Sequence, residues 1–240
     1  MQVVLLRVGV DTGSGGIYGP LFENGSFELI PIPDEFRKSG VNRQTYGNTR
    51  GKYGKKLIEY FQKRPHHKLD DTPIHSDPEF ETFTYGDPTP PKTGLRRLEE
   101  GDLLVFYAGL KGWNFDSEPS LYIIGYFEVA KAGVATSFSQ QEIKNIFGNN
   151  FHVCHKTVFE DQKDRLVLVK GGAKSRFLKR AELISVMGTD RNGRPLKVLS
   201  PKMQKIFGNF EGHISFQRSP PRWVHPDFVR KAAEFVRSLS

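Results

Sequence analysis

Two apolar segments in the middle of the chain constrain its fold most strongly. "RLEEGDLLVFYAGL" spans residues 97–110, and "SLYIIGYFEVAK" spans residues 120–131. Each contains an apolar run of strand length, and the Gly101-Asp102 pair permits a sharp turn into the first run. Gly125 lies inside the second run, where a strand bends or lets another group approach closely. The pattern predicts two strands of a central sheet.

The remaining elements follow from local patterns. Further strands are predicted at residues 2–10 and 165–169, with a hairpin turn at Asn24-Gly25. Local patterns predict helices at 55–63, 139–147, 175–181, 200–207 and 226–239. Ser139 and Glu142 form a capping box at the start of the helix at 139–147. "HVCHKTVF", residues 152–159, is interpreted as a strand. Residues 65–95 are rich in proline and are predicted to form an ordered loop or irregular insertion rather than a sheet.

Composition narrows the class of partner. The chain has 240 residues, enough for one good hydrophobic core or two small ones, and its formal net charge is +8. A basic balance favours a polyanionic partner through phosphate neutralisation. The single cysteine, Cys154, excludes an intramolecular disulfide and a zinc cluster built from several cysteines, so a reducing cytoplasm is expected. No apolar run approaches the roughly 18 residues that cross a bilayer, so no membrane partner is expected.

Several segments carry a resemblance to known families. "VVLLRV", "GDLLVFY" and "IIGYFEV" resemble the strands of the PUA-like barrel found in PUA, ASCH, YTH and EVE modules. Four blocks in order, "DTGSGGIYGPLFENGSFELIPIPD", "HSDPEFETFTYGDP", "GDLLVFYAGL" and "LVKGGAKSRFLKRAELIS", resemble the family called nucleotide modification-associated domain 3. That prokaryotic and phage family is linked to DNA base-modification gene neighbourhoods.

The resemblance implies an α+β fold built on a PUA-like β-barrel. The chain, residues 1–240, is expected to form a single domain with core strands near 2–10 and 97–186. A basic, Gly/Pro-rich insertion is expected at 34–95, and a C-terminal helical segment at 200–240.

Two loops supply candidate polar groups. In "DTGSGGIYGP", Ser14, Gly15 and Gly16 are candidates for an anion-binding nest and Asp11 for an acid or base; the alternative is a tight turn that needs glycine. In "HSDPEFETFTYGDP", the candidates for a pocket rim are Asp77, Tyr85 and Asp87. Asp77 is also a candidate acid or base. The alternative there is a structured loop with no ligand role. No spacing matches a standard metal motif, so no metal ligand and no cofactor are assigned.

Aromatic and basic residues suggest a nucleic-acid surface. Tyr107 and Trp113 are candidates for stacking on a base, with burial in the core as the alternative. Basic residues in two segments are candidates for contacts to a nucleic-acid backbone: Arg43, Arg50, Lys52 and Lys55, and Lys170, Lys174, Arg176, Lys179 and Arg180. In the second segment, cations beside a predicted helix N-terminus capped by Ser175 suit a phosphate.

Three function classes remain open at this point. The favoured hypothesis is a protein of a DNA base-modification system that recognises a modified base in an aromatic and polar pocket, with DNA preferred over RNA. The alternative is an enzyme that modifies or removes a nucleobase with Asp11 or Asp77 as acid or base. The third class is an interaction subunit with protein partners in a modification or restriction system.

Overall fold

The computed structural model describes residues 1–11, 13–34, 44–61, 69–215 and 220–240. The strands are β1 (Val3–Arg7), β2 (Gly19–Leu21), β3 (Ile32–Pro33), β4 (Ile74–His75), β5 (Thr84–Asp87), β6 (Leu103–Gly112), β7 (Ser120–Val134), β8 (Val167–Gly171), β9 (Arg176–Leu183), β10 (Ser185–Thr189), β11 (Pro195–Leu199) and β12 (Arg222–Trp223). The α-helices are α1 (Gln140–Phe147), α2 (Phe151–Cys154), α3 (Lys156–Gln162), α4 (Pro201–Phe207) and α5 (Pro226–Ser238). Short 3₁₀ helices occur at Leu57–Tyr60, Pro90–Arg97, Ala135–Ser137 and Phe210–Gly212.

The antiparallel pair β6–β7 forms the centre of an eight-stranded mixed sheet, as the two apolar runs predict. β1 and β2 pair in parallel along the other edge of β6, while β8 and β9 pair along β7. Residues Leu103 to Leu110 are all buried, including the side chains of both faces of β6. A continuous apolar strand is the pattern expected where a sheet is covered on both faces.

The α+β class is confirmed, but the barrel is not. Within the described ranges, the pairings run in the order β12-β1-β6-β7-β8-β5, and the two end strands do not pair with each other. The β3–β4 and β10–β11 pairs form separate small sheets. The predicted PUA-like barrel is therefore not confirmed by the strand pairings.

The helices predicted at 139–147, 200–207 and 226–239 are confirmed as α1, α4 and α5. Ser139 and Glu142 form the expected capping box at the start of α1. α5 buries Ala232, Ala233 and Val236. The helix predicted at 55–63 is a single 3₁₀ turn, Leu57–Tyr60, as far as the described residues extend. In the part of the chain that the structure describes, no helix has the length and apolar character needed to cross a membrane.

Four local predictions are wrong in type or extent. The helix predicted at 175–181 is part of β9, because the edge of β7 offers backbone partners from Tyr122 to Tyr126. Residues 152–154 form a helix rather than a strand, because the Asn150 side chain caps α2 by accepting from the His152 N–H. The insertion reaches the main sheet, because β5 pairs with β8. The Asn24-Gly25 turn forms, with Gly25 at φ +82°, but within the described residues the chain after it pairs through the Leu21–Phe27 bridge and two flanking backbone hydrogen bonds rather than as a second regular strand.

Candidate nucleotide-binding cleft and the buried histidine–aspartate cluster

An open cleft of about 1020 Å³ lies between four segments that are distant in sequence. One wall comes from residues 28–34, and a second from the basic loop at 49–52. The other walls come from residues 73–81 and from residues 148–155 at α2. Phe177 of β9 also lines the cleft. Its volume is at the upper limit of the range of about 300–1000 Å³ typical of small-ligand sites.

The buried carboxylate of Glu28 positions the basic loop. Its Oε1 accepts from the Lys52 backbone N–H at 3.0 Å, and its Oε2 accepts from the Tyr53 N–H at 3.4 Å. Gly51 packs directly on this carboxylate, and a Cβ there would overlap with it. Burial raises the pKa of Glu28, although the Lys52 and Tyr53 N–H groups oppose the shift. The loop conformation therefore depends on Glu28 and on the absence of a side chain at Gly51.

Aromatic side chains join two basic segments, residues 50–55 and residues 170–180, at this cleft. Phe80 and Phe177 stack with ring centroids 4.4 Å apart and planes 24° apart. The Lys52 ammonium lies 4.9 Å from the centroid of the Phe177 ring, within cation–π distance. The contact brings the basic loop at 49–52 against β9, which begins at Arg176. Phe151 adds an aromatic ring on another wall of the cleft.

A cluster of three ionisable side chains lies behind the cleft wall formed by residues 74–78 and Phe151. Nε2 of His75 lies 3.1 Å from Nε2 of His152. Oδ2 of Asp77 lies 4.0 Å from the first of these nitrogens and 3.7 Å from the second. The Asp77 and His152 side chains are 3% and 1% exposed, while that of His75 is 18% exposed. The cluster is therefore nearly dry, with one edge open to solvent.

Hydrogen bonds orient the cluster from outside. The Gly86 N–H donates to Oδ2 of Asp77 at 2.8 Å, and the Asn150 amide donates to the same oxygen at 3.4 Å. Nδ1 of His152 lies 2.7 Å from Oε1 of Gln162. Because a carbonyl oxygen only accepts, this contact places the proton of the neutral His152 ring on Nδ1 and the lone pair on Nε2.

Burial also sets the protonation of the cluster. It lowers the pKa of His75 to about 3, and the His152 ring adds to this effect. Burial likewise lowers the pKa of His152 and raises the pKa of Asp77 well above its usual value. Both imidazoles are therefore neutral at pH 7, the form in which histidine ligates metal ions.

Cys154 and His155 form a second polar pair on the cleft wall. Sγ of Cys154 lies 3.0 Å from Nδ1 of His155, and the same nitrogen lies 3.1 Å from the Phe151 carbonyl oxygen. Burial raises the pKa of the Cys154 thiol. Because the thiol form is favoured and the carbonyl competes for Nδ1, the pair does not have the arrangement of an activated nucleophile.

The Gly-rich loop forms a turn around its own aspartate. The Asp11 carboxylate accepts from the Gly13 and Ser14 N–H groups, each at 2.8 Å, and lies 3.2 Å from the Arg7 guanidinium. Gly15 and Gly16 adopt φ values of +85° and +74°. The loop amides therefore already hold an anionic group supplied by the loop itself. These contacts favour the tight-turn interpretation, and a ligand role for Asp11, Ser14, Gly15 and Gly16 stays a prediction.

The predicted aromatic and carboxylate rim lies outside the cleft lining. Tyr107 is 1% exposed within the core, and Trp113 packs edge-on against Tyr60 with centroids 5.0 Å apart. Tyr85 is buried, and its hydroxyl donates to Asp87 at 3.0 Å. The alternative of structural packing is favoured for Tyr107, Trp113 and Tyr85. Burial alone would raise the pKa of Asp87, but its ion pair with Lys92 lowers the pKa overall.

The predicted basic residues divide into several groups. Arg50 and Lys52 line the cleft, and Lys55 lies over the Trp113 ring. Lys174, Arg176, Lys179 and Arg180 are exposed on or just before β9. The Lys170 ammonium is half-buried and donates to the Thr82 carbonyl. Arg43 lies outside the described residues. Ser175 is not a helix cap but a buried residue whose Oγ accepts from the Glu128 N–H, so the helix N-terminus expected for a phosphate does not form.

Several residues of the site were not singled out by sequence reasoning. These are the aromatic residues of the cleft, Phe80, Phe151 and Phe177. The two histidines of the cluster, His75 and His152, stand out in the sequence but were not assigned as ligands, because neither matches a standard metal spacing. The only local signal is that an isolated phenylalanine stands among charged residues in "DPEFET" and "KSRFLK". No local signal pairs His75 with His152.

Comparison with known proteins decides the family. A family model described as nucleotide modification associated domain 3 matches residues 2–238. The chain belongs to the nucleotide modification associated domain 3 family. This confirms the resemblance found in the sequence, and the name of the family associates the chain with nucleotide modification. No significant match was found among curated proteins or solved structures.

Proposed function

We propose that this member of the nucleotide modification associated domain 3 family binds DNA and holds one base, modified in its natural target, in the cleft. The observation that carries the proposal is the contact of Lys52 with Phe177. It brings two basic segments, separated by more than 100 residues in sequence, to one aromatic-lined cleft. Sites for single-stranded nucleic acid usually combine two features: cations along the path of the nucleic-acid backbone, and aromatic rings on which the bases stack.

The charges of the cleft favour a base inside it and phosphates at its rim. Three glutamates line the cleft; Glu28 and Glu79 already accept from backbone N–H groups of neighbouring loops, while Glu81 is exposed. Carboxylates repel phosphate but accept hydrogen bonds from exocyclic amino groups, such as N4 of cytosine. Arg50 and Lys52 are exposed residues of the lining, and in this proposal they contact the phosphates of a strand with an extruded base.

Recognition rather than base chemistry is the function that the geometry supports best. Asp77 is 3% exposed and lies behind the cleft lining, while the Asp11 carboxylate is held by its own loop. Neither side chain is placed to exchange a proton with a base in the cleft.

We also propose that the core sheet is related to that of PUA-like modules. The antiparallel pair β6–β7, with β1 parallel to β6, supports this relationship.

The proposal is tested by the affinity of purified protein for single-stranded oligonucleotides with plain or modified bases, measured by fluorescence anisotropy at several salt concentrations. Lys52→Gln should weaken binding and reduce the slope of log affinity against log salt by about one. Lys231→Gln is the matched control, because Lys231 is an exposed cation on α5. Equal affinities for the two variants, or no binding by the wild type, would contradict the proposal. A change in oligonucleotide mass during incubation would replace recognition by an enzymatic function.

A further inference from the structure

The cluster behind the cleft has the geometry of a metal site. Its three donor atoms, Nε2 of His75, Nε2 of His152 and Oδ2 of Asp77, form a triangle with sides of 3.1, 3.7 and 4.0 Å. The point equidistant from the corners of that triangle lies about 2.1 Å from each, the distance at which zinc binds imidazole nitrogen and carboxylate oxygen. Three donors that share this distance to one point match the bond lengths of a zinc site.

We propose that His75, Asp77 and His152 bind one divalent transition-metal ion, a site that is independent of nucleic-acid binding by the cleft. Two imidazoles and one carboxylate suit zinc or ferrous iron rather than magnesium, which prefers an all-oxygen shell. The three protein ligands leave a further coordination position, which water fills in sites of this kind.

Groups around the cluster meet the requirements of a second coordination shell. Gln162 holds the Nδ1 proton of His152 and so directs the Nε2 lone pair at the ion position. Asn150 and Gly86 hold the ligating oxygen of Asp77 from the other side. Gly86 is itself required here, because a Cβ at that position would lie 2.8 Å from Oδ1 of Asn150 and 3.0 Å from Cδ2 of His152.

An unpaired oxygen gives a second, independent observation. Oδ1 of Asp77 is buried and has no hydrogen-bond partner among the described residues. Ionising a carboxyl group buried beside two neutral imidazoles costs free energy unless a positive charge compensates it. A divalent ion bound to Oδ2 supplies that charge. The ion position is open to solvent at the exposed edge of His75.

The ion would join parts of the cleft wall that the sequence keeps apart. His75 ends β4, Asp77 precedes Pro78 of the cleft lining, and His152 follows Phe151 in α2. Metal binding should therefore stabilise the folded chain, since an ion that binds only the native state raises the free energy of unfolding.

The test uses the full chain, freed of metal with a chelator and titrated with Co²⁺ and then Zn²⁺. The proposal expects one Co²⁺ per chain, with the visible absorption of a four- or five-coordinate ion, displaced by Zn²⁺ and not by Mg²⁺. His75→Gln should weaken Zn²⁺ binding by at least about tenfold. His213→Gln, at an exposed histidine outside the cluster, should bind as the wild type does.

X-ray absorption of the wild-type zinc complex makes the test independent of how the variants fold. Nitrogen and oxygen neighbours with an imidazole scattering pattern support the proposal. A sulfur neighbour would assign the ion to Cys154 and overturn it. Absence of saturable binding, or equal Zn²⁺ affinity in wild type and a folded His75→Gln, would also overturn it. None of these results depends on DNA binding, so this proposal and the proposed function succeed or fail separately.

Discussion

Nε2 of His75 lies 3.1 Å from Nε2 of His152, a residue 77 positions further along the chain. The contact joins the end of β4 to α2 and places the two imidazoles behind the wall of the cleft. Since Gln162 fixes the Nδ1 proton of the neutral His152 ring, Nε2 of His152 presents a lone pair to its partner. The same arrangement supports both a rigid cleft wall and the ion position proposed above.

The cap of α2 is expected to be important for stability. Asn150 is fully buried, accepts from the His152 N–H at 3.1 Å and donates to Asp77. Asn150→Ala should lower the free energy of unfolding by about 1–2 kcal/mol, because it removes a helix cap. Asn149→Ala, at the exposed neighbouring position, is the matched control. Urea denaturation of both variants measures the difference, and equal stabilities would contradict the assigned role.

Glu28 should make stability depend on pH in a defined direction. Burial raises its pKa, so the folded chain holds this proton more tightly than the unfolded chain. Between the usual pKa of 4.5 and the raised value, the contribution of Glu28 to the free energy of unfolding falls as pH rises. The stability of Glu28→Gln relative to wild type should therefore improve from pH 4 towards neutral pH. Denaturant unfolding across this range, with Glu100→Gln as an exposed control, would refute the assignment if the relative stability stayed constant or moved the other way.

Gly51 should tolerate no side chain. Its Cβ position overlaps with the carboxylate of Glu28, which positions the basic loop. Gly51→Ala should cost about 1–3 kcal/mol of stability through overpacking and should weaken oligonucleotide binding by displacing Lys52. At Gly172 an added Cβ makes only ordinary contacts, the closest at 3.5 Å, so Gly172→Ala serves as the control. Unchanged stability and binding in Gly51→Ala would show that Glu28 does not hold the loop in this way.

The two aromatic candidates should differ in their effect on binding. Phe177 lines the cleft, whereas Trp113 packs against Tyr60 outside the lining. If a base stacks on the cleft aromatics, Phe177→Leu should weaken oligonucleotide binding by about 1 kcal/mol or more, roughly fivefold. Trp113→Leu should leave the affinity unchanged, provided circular dichroism shows that both variants fold. A larger loss of affinity in Trp113→Leu than in Phe177→Leu would place the bound base at the Trp113 loop rather than in the cleft.

The sequence predicts elements that depend on local pattern and fails where distant segments decide. The apolar run of β6 and the Ser139 capping box specify their structures within a few residues, and both predictions are confirmed. Residues 175–181 have local helical features, yet the edge of β7 recruits them as a strand. Backbone hydrogen bonding to an open sheet edge thus overrides local propensity.

The candidate site illustrates the same limit. Arg50 and Lys52 were expected from a local run of cations and tyrosines, and they line the cleft. Phe177 lies in the other basic segment, but its exposure beside Lys52 follows from the pairing of β9 with β7. The histidine cluster depends on residues 75, 77 and 152 meeting in space, which no spacing in one sequence specifies.

The most direct test of base binding in the cleft is photo-cross-linking. An oligonucleotide carrying one 5-iodouracil would be irradiated with the full chain, and the cross-linked peptides identified by mass spectrometry. The proposal predicts cross-links at Phe80, Phe151 or Phe177, the aromatic residues of the cleft lining. Cross-links confined to the Trp113 loop or to the β10–β11 hairpin, or no cross-link under binding conditions, would contradict it.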